Sequence, residues 1–458
     1  MPGKGELRSG GRLSEHPHGA GPLPWWVPPT GVILFLDLLF AFMAPPFTFA
    51  GYKAQFTAVP SLGQEYTDNV ELSEANRRSD YITSFSTGMD FAVSRRDDGF
   101  TVFYEPSYKA YARDSEYNTL NHNARLSGWK ALSGKTLIRL DSSLRRTEDP
   151  SSYARTPEVG GLEDTTIRTG RKPYITYQTV AAIERQMTRF DTLSLRYLYS
   201  TVRNEDPLRE DNATHSPSVN YFRQLSRYLS LNSLVSYTRG EFFDRSDDSD
   251  RWHGRVALSR DLSKEWKANI AYSHTGMYFK GDTENYRIHD PSVGVSYGLG
   301  ETGTVSVNVG YFLQDRERSK DRSGIKIDGN IDKTWEARRG SLGLSGSSGY
   351  GESYFGAENL GFNTFYQVSC QGKYDLAKSL EGHASGQLRR TDYLDVQRQD
   401  TIGRVAAGLT YAPPMRRYPI RLRLDYSFSK ADSTERGKTY EENRIELRLT
   451  ISETYRVH

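Results

Sequence analysis

Tyr81 to Ala112 reads YITSFSTGMDFAVS, then RRDDG, then FTVFYEPSYKAYA. In the first half Tyr81, Thr83, Phe85, Thr87, Met89, Phe91 and Val93 alternate with Ile82, Ser84, Ser86, Gly88, Asp90, Ala92 and Ser94. In the second half Phe100, Val102, Tyr104, Pro106, Tyr108, Ala110 and Ala112 alternate with Thr101, Phe103, Glu105, Ser107, Lys109 and Tyr111. Side chains of a strand point to opposite faces at period two, so each half is a strand with one apolar face. The charged five-residue link joins them as a hairpin. Each strand runs to ~13 residues, about twice the usual soluble strand and long enough to cross a bilayer at a tilt.

Beyond Ala50 the pattern repeats. Twenty strand-like stretches follow one another, from 54–65 and 81–94 to 419–429 and 441–452. The predicted fold class is all-β: an antiparallel transmembrane β-barrel of about 20 strands, with 18 or 16 as the alternative counts. Connections alternate in character. RRDDG after Ser94, RQMTRFD after Glu184, DLSKE after Arg260, GETG after Leu299 and EARRG after Trp335 are short. Thr67–Asp80, Thr147–Arg168, Asn204–Thr214, Gly240–Asp250, Asp315–Gly324, Tyr350–Gly361 and Lys430–Tyr440 are longer and polar. Short periplasmic turns alternating with longer extracellular loops is how such barrels are strung, and a soluble sandwich has no reason to keep that alternation in register.

Composition agrees. Only 36% of the 458 residues are hydrophobic, yet 12% are aromatic, with 30 Tyr and 40 Gly. That suits a polar interior, an apolar outer band and aromatic girdles. The net charge of +3 lacks the concentrated basic excess of a nucleic-acid binder. The single cysteine, Cys370, excludes an internal disulfide framework and a Cys-rich metal site; it reads as a small filler on an alternating strand.

Residues 1–50 carry Lys4, Arg8 and Arg12, the cluster PLPWWVPP, and then GVILFLDLLFAFMAPPFTFA from Gly31. A basic start, a short apolar run and a small-residue exit predict a signal peptide with an atypically long N-terminal extension, leaving 51–458 as the barrel. Asp37 interrupts the run, which keeps an uncleaved anchor as the alternative.

Charged residues share a parity on several strands. Ile420, Leu422, Leu424, Tyr426 and Phe428 oppose Arg421, Arg423, Asp425 and Ser427, while Ile445, Leu447, Leu449 and Ile451 oppose Arg444, Glu446 and Arg448. An Arg at the lipid midplane costs ~2–4 kcal/mol, so a row of them must face a wet lumen. The candidate pore-lining residues are Arg139, Asp141, Arg145, Arg196, Lys326, Asp328, Asp332, Arg421, Arg423, Asp425, Arg444, Glu446 and Arg448. Either they form a charged constriction that sorts solutes, or they fill the lumen as cross-strand ion pairs.

Leu62-Gly-Gln-Glu-Tyr-Thr-Asp-Asn-Val-Glu-Leu72, followed by Asp80-Tyr-Ile-Thr, carries a further signal. Through Glu65, Tyr66, Asp68, Asn69, Leu72, Asp80, Ile82 and Thr83 it resembles the opening of the outer-membrane β-barrel porin family found with exopolysaccharide and PEP-CTERM (exosortase) loci. The resemblance covers about 20 residues and implies an outer-membrane channel of a Gram-negative bacterium, with polysaccharide as a candidate cargo and no catalytic residue. The C-terminal ISETYRVH departs from many such barrels in lacking a terminal aromatic, leaving Tyr455 to serve.

Other chemistry is weakly signalled. Gly134-Lys135-Thr136 lacks the earlier glycine and following helix of a phosphate-binding loop and reads as a hairpin turn. Asp244, Asp247, Asp248 and Asp250 could bind Ca²⁺, but a solvated loop is the plainer reading. The histidines after Ala50 are scattered singly, so a barrel lipase would have to assemble its serine and histidine across strands. The expectation is a non-enzyme without cofactor or metal, whose partners are the lipid bilayer with its lipopolysaccharide, and exopolysaccharide or export machinery. Two functions stay open: a porin-like channel or export conduit, and a non-conducting barrel that docks polysaccharide or a partner protein.

Overall fold

A computed structural model of the chain describes residues 51–150, 167–335, 339–354, 358–415 and 419–457. The expected signal peptide and most of the connection Thr147–Arg168 lie outside these residues. Among the described residues the chain forms twenty long strands. They are β1 (Lys53–Thr67), β2 (Asp80–Ser94), β3 (Asp98–Tyr111), β4 (Thr119–Ser133), β5 (Thr136–Thr147), β6 (Tyr174–Gln186) and β7 (Asp191–Asn204). Next come β8 (Asn212–Ser226), β9 (Leu229–Phe242), β10 (Ser249–Asp261), β11 (Trp266–Phe279), β12 (Tyr286–Gly298), β13 (Gly303–Arg316) and β14 (Arg322–Trp335). The last are β15 (Gly340–Ser353), β16 (Gly361–Ala377), β17 (Leu380–Tyr393), β18 (Arg398–Tyr411), β19 (Ile420–Ser433) and β20 (Tyr440–Ile451), which resumes after Ser452 as Glu453–Val457.

Each strand pairs antiparallel with the next, and β1 pairs with both β2 and β20, so the sheet closes. Closure is required in a bilayer, where an unpaired strand edge has no water to satisfy it. β20 breaks where it faces Pro60. Ser61 pairs with Thr450 and Ala58 with Glu453 in one continuous register, but Pro60 has no N–H to donate between them. The same cause interrupts three other ladders, beside Pro106, Pro217 and Pro291.

The family-like opening motif lies at this closure seam. Asp68 accepts hydrogen bonds from the backbone N–H (2.8 Å) and the side-chain amide (2.7 Å) of Asn443 on β20. Asn69 donates to the Glu441 carbonyl at 2.8 Å, and Thr67 donates to Glu442 at 2.9 Å. Val70 and Leu72 beyond them are fully buried.

Parity assigns the two faces. Leu422, Leu449, Leu62, Phe85, Tyr108 and Leu120 lie side by side across β19, β20 and β1 to β4, all of them exposed. This unbroken apolar row crosses the seam and faces lipid. The short turns lie at one end, residues 134–135 and 227–228 among them, and the long connections at the other. On the outward face, Tyr104 shares a hydrogen bond with His122 (2.9 Å), Tyr197 with His215 (2.7 Å) and Tyr272 with His289 (2.7 Å), at equivalent places in three hairpins. Each of these tyrosines stands midway along its strand, and the hydrogen bond gives its hydroxyl a partner on the apolar face. These histidines therefore repeat, where in sequence they look single. The repeat His215-Ser-Pro217-Ser-Val219 and His289-Asp-Pro291-Ser-Val293 is the signal that marks two of them.

Val405 and Ala406 test the face assignment as neighbours. Val405→Arg, on the lipid face, should destabilise the barrel by ~2–4 kcal/mol if it lies near the bilayer midplane, whereas Ala406→Arg, on the inner face, should cost little. Urea-dependent folding equilibria in lipid vesicles would measure both, and equal penalties would reverse or abolish the assignment.

Candidate functional site

All thirteen charged residues singled out in the sequence fall on the face opposite the apolar belt, as the registers show: Arg139 beside Ala182 and Arg196 beside Ser218, for example, while Ile183 and Leu195 face out. Their pairing differs from the cross-strand pattern expected. Arg423 lies opposite Arg448, Asp425 opposite Glu446, and Glu446 opposite Glu65. Like charges face one another across the ladder, which alone would be destabilising. Most are instead neutralised along their own strand, Arg423 with Asp425 at 2.6 Å, Arg448 with Glu446, and Arg444 with Glu442 at 3.0 Å, while Glu65 pairs across the seam with Arg444. Residues two apart share a face, so an i, i+2 Arg–acid pair is the local solution.

Other charges reach further. Arg444 lies 3.3 Å from Glu65 and 3.7 Å from Asp149. Lys326 binds Asp290 on β12 at 2.7 Å. His383 on β17 reaches Asp425 on β19 at 2.8 Å, across Gly408 of β18. A Cβ on Gly408 would stand 2.4 Å from the Asp425 carboxylate and 2.7 Å from the imidazole, so only glycine leaves the contact room. Among the described residues Arg139, Asp141, Arg196, Asp328 and Arg421 enter no ion pair.

The long-loop end holds a second feature that the sequence does not reveal. The β14–β15 ladder stops at Ile327 and Ser348, while β15 stays paired with β16 up to Ser353 and Gly361. Released from the wall, the tip of this hairpin leans over the lumen. Tyr354 and Phe362 bury themselves with Met277, Tyr286, Ile288 and Phe312 from the inner faces of β11 to β13. Glu352 meets Arg251 of β10 at 2.7 Å, with the two side chains 1% and 2% exposed, and accepts a hydrogen bond from Tyr286 at 2.7 Å. At the foot of the tip, Gly361 has φ +75 and a Cβ there would lie 2.4 Å from Asp395, whose carboxylate accepts from the Phe362 N–H.

Neighbouring loops join this arch. Glu358 of the hairpin loop binds Arg398 at 2.7 Å and also Lys438, from the loop before β20. Ile167 packs with Leu72, Ala431 and Tyr440, and Arg171 donates to the Tyr111 hydroxyl at 2.6 Å and to the Val70 carbonyl at 2.5 Å. Loop segments of four connections thus converge over the lumen, tied by buried charge-assisted hydrogen bonds.

The remaining sequence candidates resolve into local contacts. Asp248 and Asp250 pair with Arg239 (2.9 and 3.3 Å), Asp247 caps Thr283, and Asp244 pairs with Arg245. Among the described residues no group of three or more His, Cys, Asp or Glu could hold a metal ion. Gly134 and Lys135 form the β4–β5 turn. The exposed Cys370 lies on the lipid face of β16. Chemically the arrangement offers an inner wall carrying charges of both signs, with loop segments tied over the inner faces at the long-loop end.

The family model described as "Putative beta-barrel porin 2" matches residues 278–453, from the end of β11 to the last strand. Among solved structures the chain is similar to OccK2 (OpdF) of Pseudomonas aeruginosa at 11% identity, covering 88% of this chain and 98% of that one with a TM-score of 0.41. It is similar to OpdQ of the same organism at 12% identity, 89% and 98% coverage and a TM-score of 0.38. The siderophore receptor PirA, also from P. aeruginosa, gives 8% identity, 86% and 80% coverage and a TM-score of 0.48. No curated protein matches the chain. With an even strand count, closure, an apolar belt and alternating connections, the chain is a porin-like barrel of the Gram-negative outer membrane.

Two predictions concern the roof. Glu352→Ala removes the carboxylate that meets the buried Arg251 guanidinium, a change that costs ~3–5 kcal/mol. Hydrogen exchange of the β15–β16 tip should rise by orders of magnitude while the lower wall stays protected, and uniform loosening of both would refute a local latch. The second concerns Glu284, in the loop before β12. Burial raises its carboxyl, but hydrogen bonds from Ser319 and Arg318 together with the Arg316 guanidinium bring it down to about 2. A depressed carboxylate stabilises fully above its unfolded value near 4.5 and loses that contribution as pH falls through about 2. Loop residues 280–285 and 317–321 should therefore stay protected at pH 5 and open between pH 4 and 2 in exchange experiments.

Proposed function

We propose that the chain is an outer-membrane channel of porin type for polar solutes, or the conduit for a glycan chain in exopolysaccharide export. The observation that carries it is the inward parity of thirteen charged positions around a closed twenty-strand wall. Barrels of about 16–18 strands already enclose a water-filled channel, and charges of both signs on its wall serve only where water and solutes reach them. The pore-lining roles of Arg139, Asp141, Arg145, Arg196, Lys326, Asp328, Asp332, Arg421, Arg423, Asp425, Arg444, Glu446 and Arg448 belong to this proposal. So do lipopolysaccharide as the outer-leaflet neighbour, the exopolysaccharide or its export machinery as partner, and the signal peptide over 1–50.

A second reading has its own support. The roof of converging loops, with Glu352, Glu358 and Arg171 tied beneath it, favours a non-conducting barrel that docks polysaccharide or a partner protein. Single-channel recording of the refolded protein in a planar bilayer separates the two. Discrete steps support the channel; a folded, heat-modifiable barrel without steps supports the docking platform.

If the barrel conducts, the cations without ion pairs should bias it. Replacing Arg139, Arg196 and Arg421 by Ala together should move the reversal potential toward cation preference, because Asp141 and Asp328 remain. An unchanged reversal potential would place these arginines off the ion path.

A further inference from the structure

Four successive short-turn hairpins, β4–β5, β6–β7, β8–β9 and β10–β11, repeat one arrangement at their turn ends. Lys130 on β4, Arg185 on β6, Arg223 on β8 and Arg260 on β10 each lie within three residues of the end of the strand. They share parity with the outward Leu120, Ile183, Val219 and Val256 of their strands, and all four are exposed. The turns that follow add a second exposed cation apiece: Lys135, Arg189, Arg227 and Lys264. Each hairpin end also exposes a large apolar side chain, Leu132, Phe190, Tyr228 or Trp266. The Arg189 guanidinium lies 4.5 Å from the Phe190 ring, and that of Arg227 lies 5.4 Å from Tyr228.

Of these eight cations, Arg223 alone enters an ion pair among the described residues, with Asp191 at 3.5 Å. The other acids nearby are engaged elsewhere or turned away. Asp261 pairs with Lys267 at 3.3 Å, Glu265 accepts from Ser263 at 3.0 Å, and Glu184 shares the inward parity of Ala182. The opposite end of the same wall differs. There Arg146 pairs with Glu205 at 3.0 Å, Arg203 with Asp211 at 3.1 Å and Arg239 with Asp248 at 2.9 Å, while Arg287 stands opposite Asp315. Outward cations are therefore matched by acids near the long loops and left unmatched near the short turns. An outward position at the margin of an apolar belt is headgroup level. There a long cationic side chain lays its stem on apolar surface and reaches for phosphate, beside interfacial aromatic rings.

The geometry points to a docking surface for anionic phospholipid on the outside of the wall, from β4 to β11, in the periplasmic leaflet. Each hairpin end offers two positive charges to the headgroup, and the apolar face above it receives the acyl chains. A zwitterionic headgroup brings its own ammonium and gains less. A soluble acidic partner would meet the turn cations but not Lys130, Arg185, Arg223 and Arg260, which point toward lipid. The assignment needs only the membrane wall and holds whether or not the barrel conducts.

The test uses the full chain, checked by heat-modifiable migration, in phosphatidylcholine vesicles. Traces of phosphatidylglycerol or phosphatidylcholine, spin-labelled on the acyl chain, report relative association with the barrel by electron spin resonance. Phosphatidylglycerol should be preferred about fivefold, the ratio supplied by roughly one Lys or Arg contact, and added salt should lower the preference. Replacing Lys135, Arg189, Arg227 and Lys264 together by Gln, all in exposed turns, should reduce it to about twofold or less. Arg96→Gln, Arg339→Gln and Lys378→Gln, combined in short turns outside the patch, should leave it unchanged. Equal association of the two lipids with the unaltered barrel, or equal loss of preference in both variants, would overturn the assignment. Poly-L-glutamate is the soluble probe. If it binds the barrel in pure phosphatidylcholine, loses that binding in the fourfold variant, and no lipid preference is seen, the patch docks an acidic protein and the lipid assignment falls.

Discussion

Everything in this barrel depends on the seam between its first and last strands. Within a bilayer each backbone N–H and C=O must find its partner in the sheet, so a twenty-strand wall is stable only when β1 meets β20. The seam is secured at both levels the chain allows. Backbone pairing runs from Thr67 down to Ala54 in one register, tolerating the gap at Pro60, and Asp68 and Asn69 add side-chain bonds to Asn443 and Glu441 at the outer rim. The motif that resembles a porin family in sequence is, in the structure, a clasp. Its conspicuous polar residues Asp68 and Asn69 help hold the cylinder shut.

Once the wall closes, one face must be apolar and the other can be charged. How the charges are arranged then follows from sheet geometry. Neighbouring strands place Arg423 against Arg448 and Glu65 against Glu446; Arg423 and Arg448 are balanced by the acid two places away on their own strand, and Glu65 by Arg444 across the seam. On β19, β20 and β1 a row of arginines is thus stacked on a row of acids, while Arg139, Arg196 and Arg421 enter no ion pair among the described residues. The mouth obeys a different economy. There the β15–β16 tip exchanges its place in the wall for burial of Tyr354 and Phe362 and for the Arg251–Glu352 pair on the inner faces of β10 to β13.

Strand identity, strand number, the facing of each residue and the alternation of short and long connections were all legible in the sequence. They arise from period-two alternation and from turn residues, which are local properties: Leu422 and Arg423 are assigned to opposite faces by their adjacency alone. The inward parity of the charged rows was legible for the same reason. What remained hidden depends on separation along the chain. Arg251 and Glu352 lie 101 positions apart, and Glu358 meets Lys438 across 80. No local pattern distinguishes a polar loop that stands in water from one that folds over the lumen. Strand pairing also decided which charges oppose each other, so the inner-wall ion pairs run partly along a strand, as Arg423–Asp425 does, and partly across strands, as Arg444–Glu65 and Lys326–Asp290 do. The sequence by itself thus determined an outer-membrane cylinder with a charged inner wall, because alternation is a property of neighbours. Only the tertiary structure decided that a hairpin tip leaves the wall and ties Glu352 to the buried Arg251, because those contacts form between segments that only barrel closure brings together.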